Sequence, residues 1–238
     1  RAGYIQGLMD FLCNGSPRQS VKELISTTPE LLSGLLHVGL YHSGSANERI
    51  RQAAIQILRT VYEKVVAPGT DMPMYGINSG SLETRQRSQI ELSTLFAKQA
   101  PQESAEMLDQ ALQQLRGNTV RQSSTQLWLQ LLKPWIATVD LGIDQEVRVS
   151  VVHGLLALTK QFMNIFPQSL HDLWTSLAAE YNVGQIISTI LALHPRKGAD
   201  LLVLSKFLCV DLVLRSSSAT IDCLVGELLQ LTYNRGTA

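Results

Sequence analysis

The chain has 238 residues, 45% of them apolar, enough for one sizeable core or two modest ones. Its 20 basic and 20 acidic residues cancel, which argues against a generic polyanion-binding surface, because nucleic-acid domains carry a basic excess. Charged residues make up only 17%, below the roughly 25% of soluble domains, so much of the surface is expected to be covered by more of the same protein.

Helical periodicity runs from end to end. A first helix is expected over Tyr4–Cys13, closed by Asn14-Gly15 with Pro17 behind it. Thr28-Pro29-Glu30 is a strong helix start, with a capping hydroxyl, a proline whose missing N–H costs nothing, and an acid in the positive first turn. That helix should reach Tyr41 and break at Ser43-Gly44-Ser45. From Asn47 onward, Ile50, Ala54, Ile57, Leu58 and Val61 form one stripe, with Arg51, Arg59 and Lys64 mostly off it.

Val66–Ser81 holds two prolines and three glycines and carries no helical stripe, so it reads as a flexible internal loop. Helix is expected again over Leu82–Ala100, then from Pro101 to Gly117, then from an Asn118 cap into Pro134. There the spacing predicts that proline ends the helix and that Trp135 packs between neighbouring repeats. Asp144 should cap a helix through Phe162, with further helices near Ser169–Tyr181, Val183–Leu193, Ala199–Arg215 and Ser218–Tyr233. No hairpin signal appears. The fold class is all-α.

About ten helices joined mostly by short turns group into antiparallel pairs of ~40–47 residues, the range of HEAT and armadillo repeats. No strict sequence repeat is visible, so this rests on helix spacing. A compact bundle is the competing architecture. The stack is favoured because Leu201–Leu214 and Ile186–Leu193 are apolar nearly all round, as helices of a layered array are. The whole of residues 1–238 then reads as one α-solenoid segment. Because it begins with Arg1, it is expected to be a piece of a longer polypeptide.

Chemistry is sparse. The three cysteines, Cys13, Cys209 and Cys223, lie far apart in apolar helical patterns, as buried reduced thiols of an intracellular protein would. No stretch is long and apolar enough to span a membrane. The histidines lack metal-ligand spacing, so no metal or other cofactor is expected. His153 reads as a core or boundary residue. His171-Asp172 would be a weak acid–base pair, since adjacent helical residues face different ways. Gly69–Gly80 followed by Arg85 and Arg87 lacks the ending of a phosphate loop. Asp211 in its apolar helix is expected to pair with Arg215, four residues on. Trp128, Trp135 and Trp174 read as core. The candidate partner-binding residues are Arg51, Arg59 and Lys64, a basic helix face beside a flexible loop.

Ser88–Leu141 carries a family resemblance. It reads Ser-Gln-Ile-Glu-Leu-Ser-Thr-Leu-Phe-Ala-Lys-Gln-Ala-Pro, then Gln-Gln-Leu-Arg-Gly, then Leu-Trp-Leu-Gln-Leu-Leu-Lys-Pro-Trp-Ile-Ala-Thr-Val-Asp-Leu. With Val152–Phe166 and Pro-Gln-Ser-Leu-His-Asp-Leu-Trp-Thr-Ser-Leu from Pro167, it resembles the Furry family of cell-morphogenesis scaffolds. The likeness covers roughly Arg49–Leu193. Lys133 before Pro134 and the Ala137-Thr138 spacer depart from the family pattern and point to a divergent, fungal branch.

The resemblance implies a non-enzymatic scaffold whose partners are NDR-type kinases, their Mob co-activators and flanking repeats of its own chain. It also implies action at the cell cortex and sites of polarised growth, without nucleic-acid binding or membrane insertion. The alternatives are another solenoid binding module, such as a transport-receptor or adaptor segment, and an α-helical enzyme. The second needs a clustered polar pocket that the sequence does not display.

Overall fold

A computed structural model describes residues 29–116, 122–139 and 145–177, with isolated helical positions at 186, 189, 222 and 226. Among these residues the chain is all-α, with seven α-helices and no strand. They are α1 (Pro29–His42), α2 (Glu48–Val61), α3 (Leu82–Gln99), α4 (Ser104–Arg116), α5 (Gln122–Thr138), α6 (Gln145–Phe162) and α7 (Pro167–Leu177). The expected helices at Val183–Leu193 and Ser218–Tyr233 lie outside the described residues apart from those isolated positions, and the ones at Tyr4–Cys13 and Ala199–Arg215 lie wholly outside them. So do the Thr28, Asn118 and Asp144 caps, the Asp211–Arg215 pair and the three cysteines. Chain contacts cluster into two units, residues 1–138 and 139–238.

In the first unit α1 is the central helix. It lies against α2 after a tight turn, and it also touches α4 and, more lightly, α3. A Cβ at Gly39 would stand 2.6 Å from Leu58 Cδ2, so glycine is what lets α1 and α2 approach at this point. The stripe predicted for α2 is its buried face: Ala54, Ile57, Leu58 and Val61 are all within 1% of full burial. A π-helical turn, Tyr62–Val66, ends α2, with Ala67 N–H donating to the Tyr62 carbonyl at 2.8 Å. Helix α3 packs chiefly on α5, and α4 packs on both α1 and α5.

Polar side chains clip these helices together. Gln89 of α3 donates to the Leu40 and Tyr41 carbonyls at the end of α1, at 2.9 and 3.2 Å. Gln110 of α4 donates to Ser33 of α1 at 2.8 Å, and the Ser104 and Thr138 hydroxyls meet at 2.7 Å. His37 and Tyr41 stack on Trp128 of α5, with ring centres 4.5 and 5.0 Å apart.

The starts of α2 and α3 are built alike, which the sequence pattern did not disclose. Asn47 and Ser81 cap the two helices, accepting from Ile50 N–H at 3.3 Å and Thr84 N–H at 3.4 Å. Two residues earlier, Ser45 and Ser79 each accept the N–H of the capping residue at 3.2 Å. Four residues after the cap, Arg51 and Arg85 reach back a full turn. Arg51 Nη1 donates to the Ser45 carbonyl at 2.8 Å and Arg85 Nη1 to the Ser79 carbonyl at 2.8 Å. The next carbonyls, Ala46 and Gly80, take second bonds at 3.5 and 2.7 Å. These loop carbonyls have no partner in regular structure, so a long cationic donor satisfies them without breaking the helix.

The two locks lie 34 residues apart, and Gln52/Gln86, Leu58/Leu92, Thr60/Thr94 and Lys64/Lys98 also match at that offset. Tyr62 and its counterpart Phe96 meet edge to face at 5.8 Å.

The loop between α2 and α3 is irregular as expected, yet it buries Met72 and Ile77, at 4% and 0% exposure. Its turn Met74–Ile77 is closed by Ile77 N–H on the Met74 carbonyl at 2.8 Å, with Tyr75 and Gly76 at φ 40° and 78°. The Tyr75 carbonyl accepts from the Ser88 hydroxyl. The second unit contributes α6 and α7, which pack on each other.

Candidate functional site

Pro134 is the clearest correction to the sequence reading. It does not end a helix but lies inside α5, which continues to Thr138. An interior proline costs ~3 kcal/mol through a lost hydrogen bond and a ring clash. The turn it carries buries Trp135 and Ile136, at 0% and 1% exposure, and each such side chain contributes about 2–3 kcal/mol. Burial wins, so the helix runs through. The carbonyl deprived of its N–H belongs to Gln130, which is exposed and within reach of water.

Trp135 itself is core. Its indole N–H donates to Ser93 Oγ at 2.9 Å, and that hydroxyl donates onward to the Leu131 carbonyl at 2.7 Å. Ser93 thus bridges a tryptophan and the carbonyl one turn before it. The second unit uses a related arrangement: Trp174 N–H donates to Thr159 Oγ1 at 2.8 Å, which donates to the Leu155 carbonyl of its own helix at 2.7 Å. Both tryptophans can be fully buried because a hydroxyl takes up their one polar atom. Trp128 is buried as well, at 2%.

Arg51 and Arg59 stand two turns apart on α2 and hold different partners. Arg51 stands in the first turn of the helix as its lock. Arg59 Nη2 donates to Met74 Sδ at 3.4 Å, and its Nε lies 3.8 Å from the Glu63 carboxylate. Lys64 lies in the π-helical turn, and its side chain is outside what is described.

The remaining candidates separate further. His153 is exposed, not core: it shares the solvent face of α6 with Glu146, Ser150 and Lys160. His171 is buried on α7, whereas the neighbouring Asp172 accepts from Gln168 Nε2 at 2.9 Å on its own turn. The Gly69–Gly80 loop directs carbonyls at Arg85, the opposite polarity to a phosphate cradle, and Arg87 pairs with Glu83 at 3.5 Å. Among the described residues no group of three His, Cys, Asp or Glu is placed to hold a metal ion. No described helix is long and apolar enough to cross a membrane.

Burial, followed by the neighbouring Glu106 carboxylate, pushes the Glu103 carboxyl above its ordinary range. Sequence reasoning missed Gln89, Ser93 and the locking role of Arg51 and Arg85. The last could have been found by aligning candidate caps instead of apolar stripes. No protein-family model and no curated protein matches this chain.

Proposed function

We propose that this chain is a section of a non-catalytic helical-repeat scaffold, an α-solenoid of HEAT/armadillo type. In this reading it supports NDR-type kinase and Mob signalling in polarised growth and cell morphogenesis, at the cell cortex. The observation that carries the architectural part is the recurrence of one helix start, Ser45–Arg51 and Ser79–Arg85, at a 34-residue offset. A local solution used twice by neighbouring helices is what an array of related helical units would contain. The polar groups agree with this use: the buried Gln89, Ser93 and Thr159 and the half-buried Gln110 are spent on holding helices together. The choice of partners rests on the resemblance of Ser88–Leu141 and Val152–Leu177 to the Furry family.

Binding of the purified chain to a purified NDR-type kinase–Mob complex tests the reading. Saturable binding that falls on charge reversal at Arg59 and Lys64 supports it. A folded chain that binds transport cargo and no kinase–Mob complex overturns it in favour of a different solenoid module.

A further inference from the structure

We propose that Met74 is an oxidation-responsive latch on the α2–α3 loop: its conversion to the sulfoxide tightens the grip of Arg59 on that loop. The inference starts from an unusual pairing, a methionine sulfur accepting a hydrogen bond from a guanidinium at 3.4 Å. A thioether is a weak acceptor. A sulfoxide in its place presents a strongly polarised oxygen to the same cation, and hydrogen bonds to charged groups are the strong ones. Oxidation of a core methionine introduces a polar atom among apolar ones and loosens the fold. At Met74 the sign is reversed, because the partner is already a charged donor.

The reaction balances with a peroxide as oxidant. A sulfur lone pair takes one peroxide oxygen, the S–O bond forms as the O–O bond breaks, and the peroxide leaves as water. Sulfur is oxidised by two electrons, and sulfoxide reductases reverse the change.

Burial selects this residue over its neighbours. Met72 and Met107 are 4% and 1% exposed, whereas Met74 is half-buried; Met163 is half-buried too, but belongs to the second unit and is not part of this loop. The position also makes the change felt. Residues 68–71 are exposed, and the Arg59–Met74 bond precedes the other side-chain ties of the loop: Ser88 to the Tyr75 carbonyl, Gln52 to Asn78 at 3.1 Å, and Arg85 to the Ser79 and Gly80 carbonyls. A stronger bond here lowers the local opening that exposes the Thr70–Asp71 peptide to a protease.

The test treats the chain with hydrogen peroxide, locates sulfoxides by peptide mass spectrometry, and follows limited cleavage before Asp71 by an aspartate-directed protease. Met74 is expected to oxidise ahead of Met72 and Met107, and cleavage at Thr70–Asp71 to slow by about tenfold, the effect of one charged hydrogen bond gained. Met74→Gln, which places a carbonyl oxygen near the sulfoxide position, should slow cleavage without peroxide. Met74→Leu should abolish the response to peroxide at that bond. Met107 oxidising as fast as Met74, cleavage unchanged or faster after oxidation, or a Met74→Leu chain responding like wild type would each overturn the proposal.

Discussion

Ser93→Ala removes a single oxygen and strands two buried groups. The Trp135 indole N–H loses its acceptor at 2.9 Å, and the Leu131 carbonyl loses a donor at 2.7 Å. An unsatisfied buried polar group costs about 1–3 kcal/mol. The indole N–H has no second option, so it belongs at the upper end. A carbonyl keeps another lone pair for its own helix, so Leu131 belongs at the lower end. The expected loss is about 3 kcal/mol. Trp135→Phe takes away the donor and part of the ring together, and should cost about 2–4 kcal/mol through the cavity it leaves. In that background Ser93→Ala no longer strands an indole, so its cost should shrink by about 1–2 kcal/mol. Chemical denaturation of the four proteins of this cycle, followed by far-UV circular dichroism, measures the coupling directly. Costs that add to within about 0.5 kcal/mol would refute the relay as a source of stability.

Three further perturbations follow from the same geometry. Gly44→Ala would put a Cβ 2.0 Å from Gln89 Oε1, displacing Gln89 from the end of α1 at a cost of about 1–3 kcal/mol. Adding Gln89→Ala should make the pair less costly than the sum of the single changes in denaturant melts. Tyr75 is a 43% exposed ring on a backbone at φ 40°. Tyr75→Gly should therefore raise stability by about 0.5–1 kcal/mol, the strain relieved less the entropy of glycine, and a lower denaturation midpoint would contradict the strain argument. Glu103 has its carboxyl pushed up by burial and by Glu106, so the native state binds its proton more tightly than the unfolded chain. Stability from this group declines as pH rises from the ordinary glutamate value through the raised one. Glu103→Gln should flatten that part of the pH–stability curve, and an unchanged slope would show that Glu103 does not cause it.

What was legible in the sequence was whatever depends on one helix at a time. The α2 stripe, the Asn47 start and the Leu82–Ala100 helix follow from periodicity and capping, which act within a few turns. Pro134 misled because proline's local rule is strong, while the burial that overrides it comes from α3, some 40 residues earlier in the chain. His153 misled for a related reason: apolar neighbours in sequence point around the helix, and the exposed face of α6 passes between Val152 and Gly154. Gln89 and Ser93 were invisible because a polar residue inside an apolar pattern looks the same whether it faces water or caps another helix. Only the partner carbonyls on α1 and α5 distinguish the two.

The basic residues of α2 carry this distinction into function. Counting charges treats Arg51 as surface available to an acidic partner, but a guanidinium that holds two carbonyls at the start of its own helix is a structural cross-link. Arg51 holds the Ser45 carbonyl at 2.8 Å, so reversing its charge would put a carboxylate against a carbonyl oxygen and undo the start of α2. Lost binding in such a variant would report a damaged helix, not a lost contact. Arg59 and Lys64 lie beyond the first turn, and Arg59 spans only to Met74 and Glu63 at the helix end. Reversal there, with Arg51 left in place, separates recognition from folding. If the Arg51 variant loses binding and melts early while the Arg59/Lys64 variant binds normally, α2 serves the repeat alone, and the partner surface lies on another face.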